Sequence, residues 1–173
     1  MKRLIFVMLL VIPFLTMQAQ NSSSKNQKES KKEKRTKRQN EVKQMLKDRN
    51  FVYHPTQANP MSGSTVQLDF SFSAKVQGDT LNSYMPYYGR AYSVEYGSQK
   101  GPFDFTLPIK DYTFKKDKNG FMVKFEVKNG QDNIKYNFNI SENGYASLTV
   151  TSTNRQSISY YGTIEKPEQE NDS

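Results

Sequence analysis

From Asn50 onward the chain repeats one device: apolar and polar residues alternate singly, run after run. Successive side chains leave a strand on opposite sides, so this period marks strands with one buried face. In TVQLDFSFSAKV, residues Val66, Leu68, Phe70, Phe72, Ala74 and Val76 alternate with polar neighbours, which predicts one long strand. FDFTLPI places Phe103, Phe105, Leu107 and Ile109 on one side, and FMVKFEV does the same with Phe121, Val123, Phe125 and Val127. IKYNFNI repeats the pattern with Ile134, Tyr136, Phe138 and Ile140. ASLTV and SISYYGTI extend it through Ala146, Leu148, Val150, Ile158, Tyr160 and Ile164.

The punctuation between these runs is hairpin chemistry: QGD at 77–79, KNG at 118–120 and ENG at 142–144. Asn154-Arg155-Gln156 separates the last two runs. With a short first strand around Phe51 to His54, short links join the strands and no helical pattern intervenes. That is an all-β antiparallel meander. At about eight strands such a sheet must curl, most simply into one closed barrel. A two-sheet β-sandwich is the alternative architecture.

Upstream the composition changes. Lys2 and Arg3 precede an apolar run, Leu4 to Leu15, too short to span a bilayer and suited to a secretory signal. Residues 1–20 therefore read as a signal peptide, with cleavage beside Ala19 or Gln20. No cysteine follows to carry a lipid anchor, so the mature protein reads as exported, soluble, and periplasmic or secreted. Residues 21–30 read as polar linker. From Lys31, KKEKRTKRQNEVKQMLKDRN is rich in helix formers, and its apolar residues Val42, Met45 and Leu46 share one helix face. Residues 21–49 are thus a basic linker and helix whose last two turns are expected to dock on a domain at 50–166. Residues 167–173 form a polar tail.

The net charge of +8 is concentrated in this arm. Between Lys25 and Arg49, eleven Lys and Arg face four acids, whereas residues 50–173 carry twelve bases and thirteen acids. A near-neutral domain argues against a nucleic-acid-binding face. The arm itself suits an anionic surface such as lipid phosphate or acidic glycan.

The residue inventory narrows the chemistry. Zero cysteines remove disulfides, thiolate ligands and thiol nucleophiles. The single histidine, His54, precedes Pro55 and has no clustered partners to complete a metal site or a triad. The carboxylates lie mostly at outward strand positions or in turns, the opposite of the desolvated setting that raises an acid's pKa. The reading is a non-enzymatic protein with no catalytic residue, metal or cofactor to assign.

One segment stands out as a site. YMPYYGRAYSVEYGSQKG, residues 84–101, holds Tyr84, Tyr87, Tyr88, Tyr92 and Tyr96 together with Arg90. It connects two strands by a link far longer than the ~2–5 residues of ordinary hairpins. Long loops on rigid scaffolds carry function, and tyrosine offers large contact area at low entropy cost. The plainer reading is that these tyrosines cap the barrel's end. The two roles are compatible, because an inward face heavy in phenylalanine fills the barrel and confines binding to its mouth. The expected ligand is a small or extended molecule or an envelope glycan. A structural or interaction protein using the basic arm is the alternative.

Two stretches, SYMPYYGRAYSVEYGSQKGPFDF (83–105) and ISENGYASLTVTSTNRQSISYYGTI (140–164), resemble the family labelled domain of unknown function 4251. The resemblance covers roughly residues 40–165. It implies a secreted protein of a Bacteroidota-type envelope with a signal peptide, a charged arm and a lipocalin-like barrel. It implies no activity and brings no functional residues with it.

Overall fold

A computed structural model of the chain describes residues 19–92 and 101–168. Among the described residues there is one helix, α1 (Ala19–Lys47), ahead of the strands. The stretch 21–30, expected as linker, lacks the glycine or proline that would break a helix and falls within α1. Two compact units divide between Lys37 and Arg38. In the first, side chains from Ser30 to Lys37 are exposed, and the Thr36 hydroxyl donates back to the Lys32 carbonyl at 3.0 Å.

The second unit holds the end of α1 and the strands. These are β1 (Asn50–Pro60), β2 (Val66–Gln67), β3 (Ser73–Gln77), β4 (Thr80–Met85) and β5 (Phe103–Asp117). After them come β6 (Gly120–Asn129), β7 (Asp132–Ser141), β8 (Tyr145–Ser152) and β9 (Ile158–Glu165). Every pairing is antiparallel, and β9 returns to β1 from Val52↔Glu165 through Pro60↔Ile158. Strands β1 and β3–β9 therefore close an eight-stranded barrel, with β2 as one additional strand on β1. Closure along this seam rules out the sandwich. The seam is tight: a Cβ on Gly162, opposite Pro55, would stand 2.0 Å from the His54 carbonyl oxygen. Only glycine lets the two backbones approach so closely.

The run from Thr65 to Val76 is not one long strand. Ala58 pairs Val66 and Tyr53 pairs Ala74, so five steps along β1 match eight along its partner. The excess bulges out between β2 and β3. Ser71 turns its hydroxyl and N–H onto the Asp69 carboxylate, holding that acid below its ordinary pKa and bending the chain. Phe70 consequently stands 87% exposed, although its place in the alternation predicts burial.

Strand β5 also departs from simple alternation. Phe103 and Ile109 face inward, but a bulge between Lys110 and Thr113, with Asp111 at φ 53°, switches the inward parity. Beyond it Tyr112 and Phe114 cover the core. One extra residue moves a whole face, which is the ordinary consequence of a bulge. Between β6 and β7 the turn is Gly130-Gln131, with Gly130 at φ 59°.

The interior is filled by side chains. Phe51, Tyr53, Phe103, Phe125, Tyr136, Phe138 and Tyr160 are among the largest fully buried residues. The rings of Tyr112, Phe125 and Tyr136 stack in sequence at 6.0 and 5.1 Å. Phe138 meets Tyr53 edge-on at 5.3 Å. Such contacts contribute beyond the area they remove from water.

The end of α1 covers one barrel end. Val42, Met45 and Leu46 are buried in the common core. Tyr112 donates to the Leu46 carbonyl at 2.7 Å, satisfying a C-terminal helix acceptor. Arg38 Nη2 donates to the Ile164 carbonyl at 3.1 Å, and Gln39 binds Glu142. Arg49 takes the left-handed position after the helix at φ 52°. Its guanidinium pairs with Asp79 and lies 4.7 Å from the Tyr112 ring centroid, contacts that offset the backbone cost. The opposite end, where β1, β4 and β8 finish and β5 and β9 begin, is left to loops.

Candidate ligand-binding mouth

The loop after β4 is anchored before it leaves the barrel. Buried Tyr160 donates to the Pro86 carbonyl at 2.6 Å. The Tyr87 ring meets Phe103 edge-on at 5.4 Å, and its hydroxyl reaches the carbonyls of Arg90 (2.9 Å) and Gln156 (3.0 Å). Burial raises the Tyr87 phenol's pKa, with the Arg155 guanidinium opposing the shift. Next, Gln156 N donates to the Arg90 carbonyl at 3.0 Å, while Tyr92 N donates to Asn154 O at 2.7 Å. Ala91 and Arg155 form an isolated bridge between these same segments. The tyrosine loop is thus laced to the loop between β8 and β9.

That second loop has its own clamp. Asp132, the first residue of β7, is buried and accepts from the Ser152 and Thr153 hydroxyls at 2.8 and 2.9 Å. It also accepts from Thr153 N at 3.0 Å and pairs with Arg155 at 2.8 Å. A carboxylate this well supplied with donors fixes the loop's path. Neither Asp132 nor Arg155 was expected as important, because neither belongs to a recognisable motif.

Between the tyrosine loop and the link from β1 to β2 lies an open cleft of about 330 Å³. Tyr88, Gly89 and Arg90 form one wall, Ser62, Gly63 and Ser64 the other, with Pro60, Val66 and Gln156 completing it. Tyr88 is partly exposed, at 37%, and Arg90 is exposed. An aromatic ring, a guanidinium and small hydroxyl residues can together hold a polar ligand that carries an anionic group.

The expected site residues separate in space. Tyr88 and Arg90 line the cleft, and Tyr87 supports them from beneath. Tyr84 lies on the outer surface of β4, stacked on Phe72 at 5.4 Å. Tyr92 is 69% exposed beside the cleft-forming segments, and Tyr96 lies outside the described residues. The Ser62-Gly63-Ser64 wall is contributed by the β1–β2 link, which carries no recognisable motif. Its one signal was a glycine between serines. Among the described residues, no three His, Asp or Glu side chains gather to hold a metal ion, and no helix is long and apolar enough to cross a membrane.

A family model described as domain of unknown function (DUF4251) matches residues 19–164. The chain belongs to that family. A crystal structure of a DUF4251 family protein from Bacteroides eggerthii is similar to it at 16% identity and a TM-score of 0.56. The match covers 75% of this chain and 87% of the other. At that identity the likeness speaks for the fold alone. No curated protein matches the chain.

Proposed function

We propose that this DUF4251 protein is an exported, non-enzymatic barrel that binds a small or extended ligand at its tyrosine-rich end. The observation that carries the reading is the cleft between Tyr88-Gly89-Arg90 and Ser62-Gly63-Ser64, mounted on an interior already filled by side chains. A filled barrel leaves its mouth as the place for a ligand. Arg90 favours a carboxylated ligand, and Tyr88 offers a flat face to its apolar side. Export rests on Lys2-Arg3 and the apolar run from Leu4 to Leu15. The mature chain, starting near Gln20 or Asn21, is then periplasmic or secreted, soluble and without a lipid anchor.

The chain has eleven tyrosines and no tryptophan, so tyrosine emission reports on binding directly. Titration with glucuronate and its short oligomers should change the emission, with neutral glucose as control. Tyr88→Ala and Arg90→Ala should abolish the response without unfolding the protein. Equal responses from wild type and both variants would remove the mouth as the site.

A second reading is favoured by α1, where Lys31, Lys32, Lys34, Arg35 and Lys37 are all exposed. In it, the arm holds the protein to an anionic envelope surface. Arm-mediated adhesion weakens steeply with salt, whereas binding at the mouth does so much less.

A further inference from the structure

The outer wall of the barrel is divided by charge. On β5 and β6 the outward positions include Lys110, Lys115, Lys124, Glu126 and Lys128, an ordinary solvated face. On β8 and β9 the equivalent positions hold Tyr145, Ser147 and Thr149 beside Ser159, Tyr161 and Thr163. The register sets Tyr145 opposite Thr163, Ser147 opposite Tyr161, and Thr149 opposite Ser159. Asn137 and Asn139 continue the surface on β7, and Gln57, paired with Tyr161, continues it on β1. Lys135 and Glu165 bound it at the margins.

Strand propensity alone does not explain this division, since β6 meets the same geometry with lysine and glutamate. The tyrosines are also well presented: Tyr145 is 68% exposed and Tyr161 is 52% exposed. They sit diagonally on adjacent strands, a spacing of about 7–8 Å or less that lets large side chains act together. The hydroxyls of Thr149 and Ser159 approach to 3.3 Å, forming a polar floor beside them.

We infer that this β7–β8–β9–β1 surface is a second binding site, distinct from the mouth, for a neutral polysaccharide chain. A sugar ring has an apolar C–H face and a rim of hydroxyls. The C–H face packs on a tyrosine ring, and the rim exchanges hydrogen bonds with Ser, Thr, Asn and Gln side chains. An uncharged ligand requires no desolvation of ions on either side, which matches the absence of charge from the centre of the surface. An exposed strand face without a concave pocket suits an extended chain more than a compact small molecule.

Affinity electrophoresis of the mature protein in gels containing hydroxyethyl cellulose, soluble starch or yeast mannan tests the inference. At least one of these neutral polymers should retard the protein, and retardation should persist in 0.5 M NaCl. Tyr145→Ala/Tyr161→Ala should abolish it, as should Ser147→Lys, which inserts a charge between the rings without leaving a cavity. Arg90→Ala should leave it unchanged, separating this surface from the mouth. Migration unaffected by all three polymers would overturn the inference. So would retention only in gels of anionic alginate, or retention of wild-type strength in folded Tyr145→Ala/Tyr161→Ala and Ser147→Lys proteins. Thermal melts establish that the variants are folded.

Discussion

The Tyr87 hydroxyl lies 3.0 Å from the Gln156 carbonyl oxygen, joining the loop after β4 to the loop before β9 across 69 positions of sequence. Its neighbour Tyr88 faces the cleft instead. Adjacent tyrosines therefore do different work: one holds the rim together, the other is presented by it.

This division is measurable. Tyr87→Phe keeps the ring against Phe103 but deletes the hydroxyl, and should cost about 1 kcal/mol. Tyr88→Ala should cost less than about 0.5 kcal/mol, as at an accessible surface position. Urea melts of the two variants compare them directly. Similar large losses would show that both are structural caps.

Asp132 is the stronger support of the same rim. Asp132→Ala strands the Arg155 guanidinium in a largely buried setting and frees the Ser152–Asn154 backbone, which should cost about 3–5 kcal/mol. Removing both charges in Asp132→Ala/Arg155→Met should be less damaging than the single change, because no unpaired ion remains. Denaturant melts in a double-mutant cycle test the pairing. A double variant less stable than the single would contradict it.

At the other end, Leu46 is fully buried. Leu46→Asp places an unpaired carboxylate there and should lower stability by at least about 3 kcal/mol. A chain beginning at Arg38 should keep the melting midpoint of one beginning at Asn21, since Arg38 onward forms one compact unit. Shortening further, past Arg38 and Gln39, should lower the midpoint through loss of their bonds to Ile164 and Glu142. A fall in midpoint already at Lys37 would place necessary contacts upstream.

Alkaline pH should unfold the protein cooperatively. Burial raises the phenol pKa of Tyr53, Tyr112, Tyr136 and Tyr160, which keeps them protonated in the fold. In the unfolded chain they ionise near pH ~10. A folded pKa above the unfolded one stabilises the fold fully below that pH and loses its effect as pH rises further. Absorbance at 295 nm should therefore show a step that coincides with loss of the far-ultraviolet circular dichroism signal. Tyr160→Phe should reduce the step. Ionisation of all tyrosines with the dichroism intact would refute the coupling.

What the sequence determined by itself was most of the strands and, from Phe121 onward, their inward faces. From Phe121 to Ile164 the alternation is regular, and Val123, Tyr136, Leu148 and Tyr160 are buried as the period requires. Local pattern suffices there because each strand has a neighbour at every inward position. It fails at Phe70, where the excess residues between β2 and β3 bulge out without changing the alternation of residue types, whereas beyond Ile109 the consecutive polar residues Lys110 and Asp111 mark the bulge and Tyr112 and Phe114 resume the inward face. Closure was inferred from strand number, but the seam was decided by Gly162 against His54, a contact between residues far apart in the chain. The mouth was half legible: a tyrosine-rich link too long for a turn announced itself. Its opposite wall at Ser62–Ser64 and the Asp132–Arg155 clamp did not. Those features depend on which loops the closed barrel brings to one end. A hydrogen bond between distant segments leaves no periodic trace in the residues that make it.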